Sequence, residues 1–422
     1  MIDTFAERRQ RVLQQLAADG GALVLAAAPE LLVGRDTHLR YVVDAELYYL
    51  TGYTEPDAVL VLDPAAEPPF TMFVRARDPE LELWNGRRGG VEGAQERFGA
   101  GAAFPVAELP DRLPRLLAKA NVVYARFGAR PQLDAILQQL LAHGRNARAR
   151  TGRGPDTLRE PGAILDEMRL IKDDGEVELL REAARISAES FLETVPQIRP
   201  GMRESDVEAL LEYGFRSRGA SAPAFTTIAA TAGNATVLHY VDNNAVLETG
   251  ALLLLDAGAR YRMYCADISR TVPVAGRFTK EQKRLYEIVL DAHDAAVAAC
   301  RPGAPVDAIH QAAREALVRG LIEAELLKPE QGEDDAALKA VFPHRTSHWL
   351  GLDVHDVGSY ARADGPVMLQ AGMVLTIEPG LYLPAQNIGI RIENDVLITS
   401  DGHENLTGRL PSRSEEIEAL MS

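Results

Sequence analysis

The chain has 422 residues, of which 46% are apolar and 25% are charged, and its formal net charge is −16. This length predicts two or three domains with substantial cores, and the composition is that of a globular protein. The negative charge argues against nucleic acid as a partner, because phosphate binding needs a basic face, and two cysteines are too few for a disulfide framework.

The first part of the chain predicts a small α/β domain. Residues 5–19 form an amphipathic helical pattern without the apolar core of a signal peptide. Strand-like runs and a further helix follow, at 22–27, 58–63, 70–74, 121–126 and 132–141. The Gly/Pro/Arg-rich segment 151–162 predicts the boundary, so the first domain is residues 1–162. No apolar run reaches the ~18 residues of a membrane span, so we predict a cytoplasmic protein without a membrane partner.

The second domain, residues 163–422, predicts an α+β fold. Helical patterns cover residues 176–194 and 205–217, and a β-rich stretch follows them. A second helical block starts at Thr279, which has capping-box spacing with Gln282, and another helix covers about 305–320. A second β-rich stretch ends the chain. Helices followed by strands, twice over, suggest an internal duplication, although no sequence repeat accompanies it.

Four carboxylates and one imidazole lie in the second domain, most of them beside apolar strand-like runs. They are Asp256 in LLLLDAG, Asp267 in YCADISRT, His348 in SHWLGLDVHD, Glu378 in VLTIEPG and Glu393 in GIRIEND. A carboxylate in an apolar setting is costly unless a cation or a partner compensates it. Five such ligands are enough for two divalent ions. The sequence therefore predicts a two-metal hydrolase.

The local context of these acids sharpens that prediction. Asp256 and Asp267 are 11 residues apart, which suits an antiparallel hairpin with its turn near 260–262 that would bring the two repelling carboxylates together around a cation. Alternation in GIRIEND makes Arg391 the expected cationic neighbour of Glu393. A surface Arg–Glu pair without function is the alternative.

Other chemistries fit the sequence poorly. His344 and His348 have the spacing of a helical zinc motif, but position 345 is Arg instead of Glu and the chain beyond alternates like a strand. His38, His143, His293, His310 and His403 lack a supporting context and are predicted to be solvated or structural. No GxSxG, Walker or GxGxxG motif is present. Oxygen-rich ligands with one imidazole favour Mn²⁺ first, then Co²⁺, Fe²⁺ or Zn²⁺.

Taken together, these motifs resemble the pita-bread metallopeptidases, and within them the aminopeptidase P (Xaa-Pro aminopeptidase) family. The resemblance is carried in the second domain by DAG, DISRT, SHWLGLDVHD, TIEPGLY and GIRIEND, at the junction by LDEMRLIKDDGEVELLREAA, and in the first domain by YYLTGYTEPDAVLVL and ELWNGRRGG. It implies an α/β N-terminal domain, serving oligomerisation or substrate access, and an α+β pita-bread (creatinase/aminopeptidase) catalytic domain.

The resemblance also implies roles for individual residues. Asp256 would bind one metal, Asp267 and Glu393 would bridge both, and His348 and Glu378 would complete the ligand shell of the second metal. Glu378 would also be the base for a metal-bridging hydroxide. The implied substrate-contacting residues are His239 near the scissile bond, His355 beside the intermediate and the proline, His344, Tyr382 and Arg391 around the same pocket, and Trp84, which would reach a neighbouring subunit's site.

The implied reaction is removal of an N-terminal residue that precedes proline, from proline-containing peptides, by a homodimer or homotetramer. Prolidase, which cleaves only Xaa-Pro dipeptides, is the nearest alternative. It is disfavoured because prolidases typically carry an extra arginine in the loop before Arg391, and none lies between Ala371 and Arg391. A non-catalytic pita-bread binding protein and a metal-free creatinase are opposed by the complete ligand set. The short LPAQNI loop leaves the preferred peptide length open.

Overall fold

The computed structural model describes residues 2–332 and 334–422, with the side chains of residues 2 and 3 excepted. The chain divides into two compact units, Met1–Glu167 and Met168–Ser422. The division lies inside a helix, Gly162–Leu170, just after the Gly/Pro/Arg-rich segment 151–162.

The N-terminal unit is an α/β structure built on a mixed sheet. Its helices are α1 (Ile2–Asp19), α2 (Ala45–Thr51), α3 (Pro79–Asn85), α4 (Gly90–Glu96), α5 (Leu109–Leu116) and α6 (Pro131–Thr151), and α7 (Gly162–Leu170) crosses the division. Its strands are β1 (Gly21–Ala26), β2 (Leu32–Val33), β3 (Thr37–His38), β4 (Val59–Leu62), β5 (Phe70–Val74), β6 (Ala102–Pro105), β7 (Val122–Tyr124) and β8 (Thr157–Arg159). The main sheet has the order β6-β5-β4-β1-β7-β8.

The pairing in this sheet combines two directions. β4 is antiparallel to both β1 and β5, whereas β7 runs parallel to both β1 and β8. The predicted strands lie within a residue or two of the observed ones. The helix predicted to end at 141 continues to Thr151, where Gly152 takes a positive φ of 72°. Gly144, inside this helix, packs so closely on Pro155 that a Cβ there would lie 2.2 Å from the Pro155 carbonyl oxygen. Tertiary packing thus overrides the cost of a mid-helix glycine.

The C-terminal unit is α+β. Its helices are α8 (Asp174–Thr194), α9 (Glu204–Ser217), α10 (Lys280–Ala299), α11 (Asp307–Glu323), α12 (Asp335–Lys339) and α13 (Ser414–Leu420). Its strands are β9 (Ala222–Pro223), β10 (Ile228–Thr231), β11 (Leu252–Ala257), β12 (Ala259–Tyr261), β13 (Tyr264–Cys265), β14 (Ile268–Pro273), β15 (Ala361–Arg362), β16 (Gly365–Pro366), β17 (Val374–Ile377), β18 (Gly380–Leu383), β19 (Ile388–Arg391), β20 (Asn394–Ile398) and β21 (His403–Asn405).

Short antiparallel sheets, packed against long helices, form the frame of this unit. The sheets have the orders β10-β11-β14, β13-β12-β9, β17-β20-β21 and β18-β19. Helix α10 starts as predicted, with the Thr279 hydroxyl accepting from the Gln282 amide and the Gln282 side chain accepting from the Thr279 amide. Its apolar stripe, Leu285, Val289 and Ala296 among others, is fully buried in the core of the unit.

The predicted hairpin between the two aspartates is present. β11 pairs with β14 in antiparallel register, and β12–β13 extend the hairpin to a turn at Arg262 and Met263, both with positive φ. The turn therefore lies slightly beyond the predicted 260–262, because residues 259–261 are themselves β12. Within residues 2–332 and 334–422, no helix is long and apolar enough to cross a membrane.

Candidate metal centre

Each of the four acidic residues stands at or near the end of a buried strand. Asp256 is the penultimate residue of β11, and Asp267 directly precedes β14. Glu378 follows β17, and Glu393 lies in the short gap between β19 and β20. Because β11 pairs with β14 and β17 pairs with β20, backbone hydrogen bonding brings these strand ends towards one another.

The imidazole of His348 is brought to the same place by β17. The Thr376 amide donates to the His348 carbonyl at 2.9 Å, and the His348 amide donates to the Thr376 hydroxyl at 3.2 Å. The chain around His344 and His348 is not helical, in agreement with the rejection of a helical zinc motif.

The ligand atoms of these residues lie close enough to share cations. Asp267, His348 and Glu393 each offer one atom, and these atoms all lie within 4.8 Å of one another. His348 Nε2 is 3.4 Å from Asp267 Oδ2 and 3.7 Å from Glu378 Oε1. Asp256 is close enough to Asp267 for its charge to raise the pKa of that carboxyl group. The five predicted ligands therefore meet in one cluster, although their roles stay predictions.

The carboxyl groups of the cluster destabilise one another's charged forms. Burial, followed by the charges of Asp256, Asp395 and Glu378, raises the pKa of Asp267 well above its usual value. Burial, followed by the charge of Asp267, does the same to the pKa of Glu393. Burial also raises the pKa of Glu378 to about 7, against the opposing effects of His348 and Arg391. Buried acids of like charge need a cation to stay ionised together near neutral pH.

The hydrogen bonding of the cluster is incomplete in a way that suits metal ions. Oδ1 of Asp256 and Oδ1 of Asp267 are both buried, and neither has a hydrogen-bond partner among the residues that the structure describes. Unpaired buried carboxylate oxygens are costly, and a divalent cation is the ligand that would satisfy them. Four carboxylates with one imidazole are a donor set for harder divalent ions, so these residues fit a pair of such ions.

Arg391 lies in this cluster, but its ion-pair partner differs from the predicted one. It is 4% exposed, which excludes the surface Arg–Glu pair, and its Nη2 donates to Asp256 Oδ2 at 2.5 Å. It also donates to the hydroxyls of Tyr382 and Ser269, at 2.9 and 2.8 Å. Glu393 instead accepts from the Ser269 hydroxyl at 2.8 Å. The alternation along β19 correctly predicted that Arg391 and Glu393 lie near one another, but the carboxylate closest to Arg391 is that of Asp256 on β11.

Asp395 is a further buried acid that the sequence analysis did not single out. Its Oδ2 accepts from the Asp267 amide at 3.2 Å, and burial raises its pKa to about 8. The signal was available, because Asp395 follows Glu393 by two residues in IEND and alternates onto the same side of the strand.

A cavity of about 640 Å³ opens onto the cluster. One wall is apolar and includes Phe225, Ile228, Leu238 and Val241. The predicted substrate-contacting histidines, His239, His344 and His355, also line it, as does Arg391.

Two of these histidines are held by neighbouring rings and hydroxyls. Nε2 of His344 shares a hydrogen bond of 2.8 Å with the Tyr382 hydroxyl, and burial, followed by the charge of Arg391, lowers the pKa of His344 to about 4. The ring of His355 stands edge-on to that of His348, with centroids 4.3 Å apart. Burial, followed by the charge of His348, lowers the pKa of His355. Both imidazoles are therefore neutral at neutral pH.

Two other lining residues were not predicted to belong to the site. His310, expected to be solvated or structural, lies on α11 and shares a hydrogen bond of 2.8 Å with the Thr346 hydroxyl. Arg345 lies between His344 and Thr346 at the cavity. No sequence pattern marked α11 as a cavity wall. Trp84 lies on α3 of the N-terminal unit and is 82% exposed, and its predicted role remains untested.

Comparison with known proteins gives the same family over both units. Residues 178–400 match metallopeptidase family M24, and residues 5–124 match the aminopeptidase P N-terminal domain. The chain is 38% identical over 429 aligned residues to the Xaa-Pro aminopeptidase of Escherichia coli, covering 99% of this chain and 97% of that protein.

Solved structures agree. Pseudomonas aeruginosa aminopeptidase PepP superposes with a TM-score of 0.95 at 39% identity, covering 100% of this chain and 98% of that one. Aminopeptidase P from E. coli with the inhibitor Pro-Leu superposes with a TM-score of 0.94 at 36% identity and the same coverage.

Proposed function

Because this chain belongs to metallopeptidase family M24, we propose that it is a metal-dependent aminopeptidase that removes an N-terminal residue preceding proline. The observation that carries the proposal is the meeting of four carboxylates and one imidazole at the base of a cavity of about 640 Å³. A cavity of this size suits a short peptide. Its polar end accepts cations, and its apolar wall suits a proline ring and neighbouring side chains.

We propose that Asp256, Asp267, His348, Glu378 and Glu393 hold two divalent ions. When bound, such ions would polarise a peptide carbonyl and lower the pKa of a coordinated water. The oxygen-rich donor set supports Mn²⁺ as the native metal, with Co²⁺, Zn²⁺ or Fe²⁺ as alternatives. Metal analysis of the purified protein tests this part of the proposal directly.

Glu378 is the residue best placed to exchange a proton. It follows the end of β17 and faces both the ligand cluster and the histidines that line the cavity. Its Oε1 and Oε2 face His348 and His344, at 3.7 Å in each case. We propose that Glu378 accepts a proton from the attacking water and delivers it to the leaving proline nitrogen.

The histidines that line the cavity are also suited to proline recognition. An Xaa-Pro bond is a tertiary amide without an N–H, and the ring of proline has a fixed shape. Neutral His344, held by the Tyr382 hydroxyl, presents a rigid surface to such a ring. We propose that His355 and His239, which line the same cavity, contact the substrate near the scissile bond. The acidic cluster would attract the free α-amino group, which accounts for exopeptidase action.

A peptide panel tests the reaction. Metal-loaded protein is incubated with Xaa-Pro-Yaa, Xaa-Ala-Yaa and Xaa-Pro peptides, and release of the first residue is quantified. We expect release from Xaa-Pro-Yaa that is abolished by chelation and restored by Mn²⁺. If none of the proline peptides is cleaved, the proposal is refuted. A clear preference for the bare Xaa-Pro dipeptide would instead favour prolidase.

We also propose that the protein assembles as a homodimer or homotetramer and acts in the cytoplasm. Exposed large apolar side chains of the N-terminal unit support assembly, notably Leu83 and Trp84, which are 81% and 82% exposed, and Leu31, Leu32 and Val42. Leu83 and Trp84 are neighbours on α3, and a contiguous exposed apolar patch is typical of a surface that a partner covers. Light scattering of the wild type and of Leu83→Ser with Trp84→Ser tests it, since the double variant is expected to dissociate.

A further inference from the structure

We propose that Arg345 binds the C-terminal carboxylate of the substrate and so makes the site selective for tripeptides with a free C-terminus. The inference rests on the proposed function and extends it to the leaving-group side. It commits the site to a peptide in which one residue follows the proline.

The backbone of Arg345 is held against the metal centre. The Glu378 amide donates to the carbonyl of the next residue, Thr346, at 2.8 Å, and Thr346 is fully buried. On the other side, Nδ1 of His344 lies 3.7 Å from Glu378 Oε2. Position 345 therefore cannot drift away from the cluster, while its side chain is 64% exposed and lines the cavity.

The charge distribution of the cavity leaves a carboxylate one favourable partner. Asp256, Asp267, Glu378 and Glu393 line its base, and they repel an anion. Two arginines line the cavity among the described residues. Arg391 is buried, and its guanidinium is occupied by Asp256, Tyr382 and Ser269. The other, Arg345, is accessible to solvent.

Arg345 is positioned by an ion pair that a substrate can replace. Its Nη2 contacts Oδ1 of Asp307, at the start of α11, and both side chains are more than half exposed. Exposed pairs of this kind are weak and exchange readily. A guanidinium presents two parallel donors that match a carboxylate, so a peptide terminus is a suitable replacement.

The length of the substrate agrees with this position. In an extended tripeptide the terminal carboxylate lies two residues beyond the scissile carbonyl, roughly 7 Å at about 3.3 Å per residue. Arg345 is the next residue after His344, whose ring contacts the cluster. The terminal carboxylate of a bare dipeptide would lie one residue closer to the base of the cavity, where Asp256, Asp267, Glu378 and Glu393 repel it.

The test compares a free C-terminus with a blocked one. The kcat/KM is measured for an Xaa-Pro-Yaa peptide and for its C-terminal amide, with the metal-loaded full-length protein. We expect the wild type to prefer the free acid by about tenfold, as the loss of one charge-assisted hydrogen-bonding partner implies. Arg345→Ala is expected to reduce the acid-to-amide ratio to near one through KM, and Arg345→Lys to retain part of it. Asp307→Asn is expected to increase the ratio, since it frees the guanidinium.

A binding measurement separates this inference from the proposed function. Pro-Leu and its amide are titrated calorimetrically into wild type, Arg345→Ala and a control, Arg284→Ala, which removes an exposed arginine paired with Glu281 on α10. Discrimination between acid and amide that survives in Arg345→Ala, or a wild type that shows none, overturns the inference even if Xaa-Pro cleavage is observed. If no Xaa-Pro peptide is cleaved but binding still distinguishes acid from amide through Arg345, the proposed reaction is refuted and this inference stands. If Arg345→Ala also lowers kcat/KM for the bare Xaa-Pro dipeptide, the tripeptide assignment is contradicted.

Discussion

Replacing Asp267 by asparagine provides the sharpest test of the metal centre, because it changes the metal-free and metal-loaded proteins in opposite directions. The substitution keeps the shape of the side chain and removes one charge and one ligand oxygen. Asp267 is 5% exposed, and its Oδ1 has no hydrogen-bond partner in the described part of the chain. Burial, together with neighbouring acids, raises its pKa well above the usual value. In the metal-free protein the variant therefore removes repulsion, and its unfolding temperature should equal or exceed that of the wild type.

The metal-loaded comparison should show the opposite sign. A ligand at 100 times its dissociation constant stabilises the native state by about 2.7 kcal/mol. For a unit of this size about 1 kcal/mol corresponds to roughly 2–4 °C, so Mn²⁺ should raise the wild-type unfolding temperature by roughly 5–11 °C. Asp267→Asn should lose nearly all of this increase at the same Mn²⁺ concentration, together with nearly all peptidase activity.

The assay is thermal unfolding of chelator-treated protein, with and without Mn²⁺, combined with metal content after gel filtration. Asp291→Asn, an exposed substitution on α10, is the matched control and should behave as the wild type. The reasoning is refuted if Asp267→Asn keeps the full Mn²⁺-induced increase, or if it hydrolyses Xaa-Pro peptides substantially after controlled metal addition.

Three further predictions concern pH, substrate contacts and the frame of the site. Metal affinity should fall as the pH drops from about 7 towards 5, because the pKa of Glu378 is raised and a bound cation must displace its proton. Calorimetry in buffers of different ionisation enthalpy should show net proton release on metal binding. A metal affinity that is independent of pH would contradict this prediction. His355→Ala should lower kcat while retaining both metals, since its ring lines the cavity outside the ligand set; loss of metal on analysis would assign it to the cluster instead. Arg270→Leu should lower the free energy of unfolding, measured with denaturant, by about 3–5 kcal/mol. The reason is that this buried guanidinium donates five hydrogen bonds, four of them to backbone carbonyls. A decrease below about 1 kcal/mol would show that water replaces these hydrogen bonds.

The residue pattern predicted four acids and one imidazole of the cluster, but it did not mark Asp395. Acids at the ends of apolar runs are rare unless something compensates them, and five potential ligands in similar settings indicate metals from the sequence alone. Helix α10 could be predicted equally well, because its cap and its apolar stripe depend only on residues three or four apart.

Contacts between distant segments were not accessible in the same way. Arg391 pairs with Asp256, 135 residues away, because β11 lies beside the strands that carry Glu393, and local alternation along β19 could only suggest Glu393. The same limit applies to His310, which reaches the cavity through the packing of α11 against the segment around Thr346.

The sequence by itself determined the composition of the centre and the local elements that bear it, since charge, hydrophobic period and capping are properties of neighbouring residues. Only the tertiary structure decided which charges face each other, that Arg345 stands at the cavity beside Asp307, and that α6 extends to Thr151. The charge pairings depend on strand register and helix packing across more than 30 residues of chain, and the extension of α6 accompanies the packing of Gly144 against Pro155. Short-range preferences do not specify such contacts.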